Sequence, residues 1–271
     1  MPPTIERGLV KTRYGYIHYR TAGSGPAIML LHINQQSSAL YLELIAALAP
    51  RMRAVAIDYP GHGMSDHVTT QPVIGDYAQC AIDVMDALGI GHACVLGEAV
   101  GAATSMEAAC AFPGRITRAI LVNCPYYHDR NHAEQRHATL KTGLRPQDAS
   151  GFPVPRTIEF TLERDPAHAP VHPTQDWMDR INVAQMQAGR DRWQALAALH
   201  QYDIATQLSH IPCPVMLLTG EHFYYVNHLG EFVARVANLR SEIIPGGRFC
   251  MTWERATDIA PLVFDFALAG V

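Results

Sequence analysis

Val95-Leu96-Gly97-Glu98-Ala99-Val100-Gly101-Ala102 is an apolar run that breaks into Gly-x-Ala-x-Gly and then continues with helical character. In the Gly-x-Ser-x-Gly nucleophile elbow a serine sits on a sharp strand-to-helix turn. Glycines flank it because the crowded backbone leaves no room for Cβ atoms. The turn is kept here and the nucleophile is absent, since Ala99 stands at the serine position. No reaction of this chain begins with a hydroxyl at residue 99.

Outward from that turn, apolar strands alternate with amphipathic helices. Gly8 to Thr12 and Tyr16 to Arg20 are β-prone runs around Tyr14-Gly15, a hairpin pattern. Ala27 to His32 and Ala54 to Ile57 are unbroken apolar runs, as expected of strands covered on both faces. Helical spacing covers Ser38 to Leu48, Ile74 to Leu88 and about Ala99 to Ala111, the last ended by Phe112-Pro113-Gly114. Strands follow at Ala93 to Leu96, Ala119 to Asn123, Val215 to Thr219 and Ser241 to Ile244, with helices at Asn227 to Val236 and Thr257 to Leu268. This order predicts an α/β fold: a mostly parallel, doubly wound sheet of about eight strands with an antiparallel N-terminal pair.

Composition bounds the function. The chain has 271 residues, 48% of them hydrophobic, enough for one large core. Its formal net charge is −4 and its 21 Lys and Arg are scattered, which argues against a nucleic-acid partner. No apolar run reaches the ~18 residues that span a bilayer, and Met1 to Arg7 lacks a signal core, so no membrane partner is expected. Six widely spaced cysteines without a Cys-x-x-Cys pair fit free thiols in a reducing compartment, hence a cytoplasmic location. There is no Gly-x-Gly-x-x-Gly after the first apolar strand, no Walker loop and no metal-ligand spacing; no cofactor is expected. The oligomeric state is not set by the sequence.

Four motifs in order carry a family resemblance: the strand ending at His32, the loop Asp58-Tyr59-Pro60-Gly61-His62-Gly63-Met64-Ser65-Asp66, the elbow, and Pro212 to Glu221. The chain resembles the α/β-hydrolase superfamily. The resemblance implies a core of residues 1–124 and 206–271 and a cap insertion of residues 125–205, a proline-rich stretch with helical pieces at Asp176 to Met186 and Asp191 to Leu199. It places Phe223 at the usual aspartate position and Arg248 at the histidine position, so all three triad positions are substituted. An arginine does not act as a general base. Asp129, after the preceding strand, is available as a replacement acid, but no histidine follows His228. A displaced triad would need a base from elsewhere.

The remaining polar groups define the candidate site. Glu98, on a buried strand end, is either a structural carboxylate or an acid/base group, with the raised pKa that burial imposes. Arg248 either points to solvent, pairs with Glu98 or anchors a substrate carboxylate. His222 is a surface histidine or a base at the acid loop. These three are the catalytic candidates. The substrate-binding candidates are Ile33, Asn34, Gln35, Ala99, Val100, Tyr126, Trp177 and Phe223, with backbone N–H groups of Ile33 and Val100 as oxyanion donors and Asn34 and Gln35 orienting a carbonyl or hydroxyl. His32 reads as a satisfied core histidine, and Cys124 and Cys250 as inert thiols. The expectation is an enzyme doing chemistry without the triad, of lyase, isomerase, cyclase or decarboxylase type, on a small carbonyl- or carboxylate-bearing metabolite. The alternatives are a small-molecule-binding pseudoenzyme and a hydrolase with a displaced catalytic set.

Overall fold

A hairpin opens the sheet: β1 (Glu6–Thr12) and β2 (Gly15–Ala22) pair antiparallel, with Val10 opposite Ile17. The computed structural model describes residues 3–127, 130–139 and 146–270. After the hairpin come β3 (Ala27–Leu31), a 3-10 turn over Ser38–Tyr41, α1 (Leu42–Leu48) and β4 (Arg53–Ile57). The Ser37 hydroxyl accepts the Ala39 N–H, so the expected Ser38 to Leu48 helix begins with a tighter turn. The chain continues through α2 (Ile74–Ala87), β5 (Ala93–Glu98), α3 (Val100–Ala111) and β6 (Ile116–Val122).

Between β6 and β7 the chain is helical: α4 (Arg130–Thr139), α5 (Ile158–Arg164), α6 (Gln175–Ala188), α7 (Gln194–His200) and α8 (Ile204–Leu208). Then come β7 (Val215–Gly220), α9 (Leu229–Arg235), β8 (Leu239–Ile244), α10 (Met251–Glu254) and α11 (Ala256–Ala267). The eight strands lie in the order β1-β2-β4-β3-β5-β6-β7-β8, and pairing is parallel from β4 to β8.

That order locates the site. From β3 the chain winds outward to β4, then returns past β3 to β5 and continues the other way. Such a reversal opens a crevice at the C-terminal ends of the two strands, where ligands of open α/β sheets bind. β3 and β5 are buried along almost their whole length because helices cover both faces. Val95 and Leu121 pack with α2 and α3 on one face; Leu30, Leu96 and Ile120 pack with α1 and α11 on the other.

All six cysteines are free thiols. No helix among the described residues is long and apolar enough to cross a membrane. Asp129, the replacement acid considered from sequence, lies outside the described residues.

Candidate active site

The elbow is built as its glycines demand. A Cβ on Gly97 would lie 1.9 Å from the Gly101 carbonyl oxygen, and one on Gly101 would lie 1.8 Å from that of Leu31. Neither position has space for any other residue. Between them Ala99 sits at φ 52°, ψ −108°, in the left-handed region that L-residues rarely occupy. Only two other non-glycine residues among those described have positive φ, Gln35 at 63° and Asn123 at 44°. The three lie just past the ends of β3, β5 and β6. Strain of this kind persists where surrounding structure enforces it, and it gathers at functional sites.

These loops open on a cavity with about 1080 Å³ of empty space, part of it open to solvent. Its floor is Ile33, Asn34, Gln35, Ala99 and Val100. Its roof and walls come from the helical segment between β6 and β7 and from the loops after β7 and β8. Five of the expected binding residues are thus brought together with Trp177 and Phe223. The Val100 N–H opens α3 and has no intrahelical acceptor, leaving it suited to a developing oxyanion. Asn34 is partly committed, because its Oδ1 accepts the Leu196 N–H at 3.1 Å and so pins the start of α7. Gln35 is 2% exposed, and neither its amide oxygen nor its amide nitrogen has a hydrogen-bond partner among the described residues.

The other expected residues are placed differently. Glu98 is fully buried but outside the cavity lining. Side chains alternate along a strand, so Glu98 shares the face of Cys94 and Leu96, toward α1, α10 and α11. Its Oε1 accepts from Asn123 Nδ2 at 3.0 Å, and its Oε2 accepts from the Thr252 hydroxyl. Burial pushes its pKa up to about 7, against the opposing pull of the Thr252 and Asn123 hydrogen bonds.

Arg248 does not pair with Glu98, whose carboxylate is taken by Asn123 and Thr252. Its contribution to that network is its carbonyl oxygen, which accepts from Asn123 Nδ2 at 2.9 Å, and its side chain is outside the lining. His222 is exposed, because the turn that sends Phe223 inward sends its neighbour outward. Tyr126 is a core residue stacked on His228 at 5.5 Å with its hydroxyl on Glu231; the next residue, Tyr127, reaches the cavity instead. His32 is satisfied on both ring nitrogens, Nδ1–H donating to the Ile33 carbonyl at 2.7 Å and Nε2 accepting the Tyr59 N–H at 3.1 Å. Burial, with His62 adjacent, lowers its pKa to about 3, so it stays neutral.

The sequence reading missed the titratable group that does face the cavity. His168 lies on a 3-10 turn, Pro166–His168, and is buried among the lining residues. With its proton on Nδ1 it donates to the Asp165 carboxylate, while Nε2 accepts from the Tyr224 hydroxyl. Its ring packs edge-on against Phe249 at 4.5 Å. An Asp-Pro-x-His spacing on one tight turn was a readable signal for the first of these bonds. The second spans 56 residues and had none. Asp165–His168–Tyr224 is a relay in which the imidazole can take a proton from the phenol while the carboxylate balances the resulting charge.

Among the described residues no group of His, Cys, Asp and Glu is arranged to hold a metal ion.

A mostly parallel sheet with an elbow and a cavity at its C-terminal edge defines the α/β-hydrolase class. A family model described as alpha/beta hydrolase fold matches residues 26–254, and the chain belongs to that family. Among curated relatives it is 28% identical to the 2-(acetamidomethylene)succinate hydrolase of Mesorhizobium japonicum over 47% of this chain and 46% of that protein. It is 23% identical to the 2-hydroxy-6-oxo-6-phenylhexa-2,4-dienoate hydrolase of Comamonas testosteroni over 92% of this chain and 90% of that one. The chain spans only 35% of an uncharacterised Mycobacterium tuberculosis relative to which it is 35% identical, and less than half of the Mesorhizobium protein. The solved enol-lactonase of Burkholderia xenovorans superposes with a TM-score of 0.75 at 19% identity, covering 96% of this chain and 99% of that one, a likeness of fold.

Proposed function

We propose that this protein is a cofactor-independent enzyme that moves a proton on a small carbonyl- or carboxylate-bearing metabolite without a Ser-His-acid triad. The carrying observation is the Asp165–His168–Tyr224 relay on a cavity whose elbow residue is Ala99. The α/β-hydrolase core of residues 1–124 and 206–271 supplies the floor, and residues 125–205 form the cap that brings His168 over it. The expected setting is the cytoplasm, with a small molecule as the partner.

In the proposed step the Tyr224–His168 unit takes one proton from the carbon next to a substrate carbonyl. Asp165 stabilises the imidazolium, and the enolate oxygen is held by the N–H groups of Ile33 and Val100. Gln35 orients the carbonyl. Enolisation of this kind opens lyase, isomerase and cyclase reactions alike. A second reading, favoured by the hydrolase names of the relatives, has the same relay activate water.

The test is exchange of α-protons for deuterium, followed by proton NMR, over a panel of small 2-oxo acids and ketones in D2O. Exchange by the wild type that falls about 10² to 10⁴-fold in both His168→Gln and Tyr224→Phe is the expected result. Exchange that survives both substitutions, or a panel in which nothing exchanges while esters are hydrolysed, overturns it.

A further inference from the structure

Three unfavourable features meet at Gln35. It is the third residue of the turn Ile33-Asn34-Gln35-Gln36, which closes with the Gln36 N–H donating to the Ile33 carbonyl at 3.3 Å. Its φ of 63° lies where such turns favour glycine or asparagine. The residue belongs to the cavity floor, yet its amide oxygen and its amide nitrogen are both buried and both without a hydrogen-bond partner among the described residues. Glycine at this position would relieve the backbone and remove both orphaned atoms at once. No described neighbour offsets the two unmade hydrogen bonds; a ligand in the cavity can.

The turn that carries the amide is held from both sides. Asn34 Oδ1 accepts the Leu196 N–H at 3.1 Å, and the Ile33 carbonyl also accepts the His32 Nδ1–H at 2.7 Å. Two more unpartnered groups belong to residues of the lining, the indole N–H of Trp177 on α6 and that of Trp253 on α10, with ring centroids 6.5 Å apart. An indole N–H only donates, so it serves a carbonyl oxygen and not a hydroxyl proton. The Gln35 amide does both, from an oxygen and a nitrogen on one carbon. Its match is a ligand with an acceptor beside a donor.

We infer that the cavity takes an α-hydroxy ketone, with Gln35 Nε2 donating to the carbonyl oxygen and Gln35 Oε1 accepting from the adjacent hydroxyl. This rests on the proton-transfer reading of the site. In an α-hydroxy ketone the carbon that bears the donor is also the carbon that loses the proton, whereas in an amide the donor nitrogen sits on the carbonyl carbon itself. The carbon–hydrogen bond breaks, its electron pair becomes the carbon–carbon double bond of an enediolate, and the carbonyl pair moves onto oxygen while the Tyr224–His168 unit takes the proton. Return of that proton to the former carbonyl carbon, with the hydroxyl proton passing to the neighbouring oxygen, gives the isomeric α-hydroxy carbonyl compound. No electrons leave the substrate.

Exchange of α-protons for deuterium in D2O, read by proton NMR, tests this on the full chain with 2-hydroxyacetophenone, 2-methoxyacetophenone and acetophenone, each relative to its rate in buffer. Methylation blocks the donor, and acetophenone lacks it without added bulk. The hydroxy ketone is expected to be accelerated at least about 10²-fold more than either relative. Gln35→Met and Gln35→Gly remove the amide and are expected to bring that ratio to within about threefold of one. Glycine suits the turn, so its variant keeps the comparison open if the methionine variant is unstable. Equal acceleration of all three ketones by the wild type overturns the ligand class and leaves the proposed reaction standing. A ratio that survives both substitutions overturns the assignment to Gln35. If none of the three exchanges, the proposed reaction falls and isothermal titration decides the ligand class: the hydroxy ketone binding at least about tenfold more tightly than both relatives keeps it, and equal or absent binding overturns it.

Discussion

Thr252 closes over Glu98 from 154 residues away: its hydroxyl donates to Oε2, and its backbone N–H reaches the same oxygen at 3.4 Å. Asn123 completes the set from the end of β6, donating to Glu98 Oε1 at 3.0 Å and to the Arg248 carbonyl, while its Oδ1 accepts the Gly220 N–H at 2.9 Å. One buried carboxylate thus joins the ends of β5 and β6 to α10, with Asn123 extending the link to β7 and the loop after β8.

Glu98→Gln is expected to change how stability responds to pH. Burial raises the Glu98 pKa from 4.5 to about 7 in the folded protein. Between those two values the folded chain keeps a proton that the unfolded chain has released, so stability falls as pH rises from about 4.5 to about 7 and levels off above that. The full span corresponds to about 3 kcal/mol. Glutamine removes the titration and keeps an acceptor for Asn123. Urea denaturation at pH 5 and pH 8 is expected to show the variant gaining on the wild type by about 2 to 3 kcal/mol at the higher pH. An unchanged difference between the two pH values would mean that Glu98 titrates like a surface carboxylate.

Gly101→Ala is expected to cost about 3 kcal/mol or more, because the added methyl lands 1.8 Å from the Leu31 carbonyl oxygen and backbone must move. Gly114→Ala, where a Cβ meets nothing within 4 Å, is expected to stay within about 0.5 kcal/mol. Thermal unfolding of the pair separates crowding at the elbow from a general effect of replacing glycine. Similar losses in both would remove the steric account of the turn.

Ala99→Ser gives the elbow a hydroxyl, and the proposed chemistry without a triad expects it to stay idle. The resemblance drawn from the sequence puts Arg248 at the histidine position and Phe223, which lines the cavity, at the acid position. The variant is expected to hydrolyse p-nitrophenyl acetate no more than roughly tenfold faster than the wild type and to accumulate no acetylated protein by intact mass. A covalent acyl-enzyme would show that a base, His168 first among them, serves the new serine, and the hydrolase reading would then replace proton transfer.

The fold was readable because its signals are local. Unbroken apolar strands such as Ala27–Leu31, and the crowding written into Gly97 and Gly101, report their surroundings residue by residue. The floor of the site was readable for the same reason: Ile33, Gln35, Ala99 and Val100 follow directly from where β3 and β5 end. For Glu98 the strand position was legible, but the choice between a structural and an acid/base carboxylate was not, because its partners Asn123 and Thr252 lie 25 and 154 residues away. Arg248 and His222 lie in loops whose side-chain direction depends on tertiary packing. His168 and Trp253 were invisible as site residues because what makes them so is contact across dozens of residues, with Tyr224 in one case and Trp177 in the other.

The chain has three tryptophans, and Trp177, Trp193 and Trp253 all line the one cavity. Every photon of indole emission from this protein therefore originates at the cavity wall. Excited selectively over the eleven tyrosines, tryptophan fluorescence is a reporter of that compartment, shifting or quenching when a ligand enters, with no dye or label added.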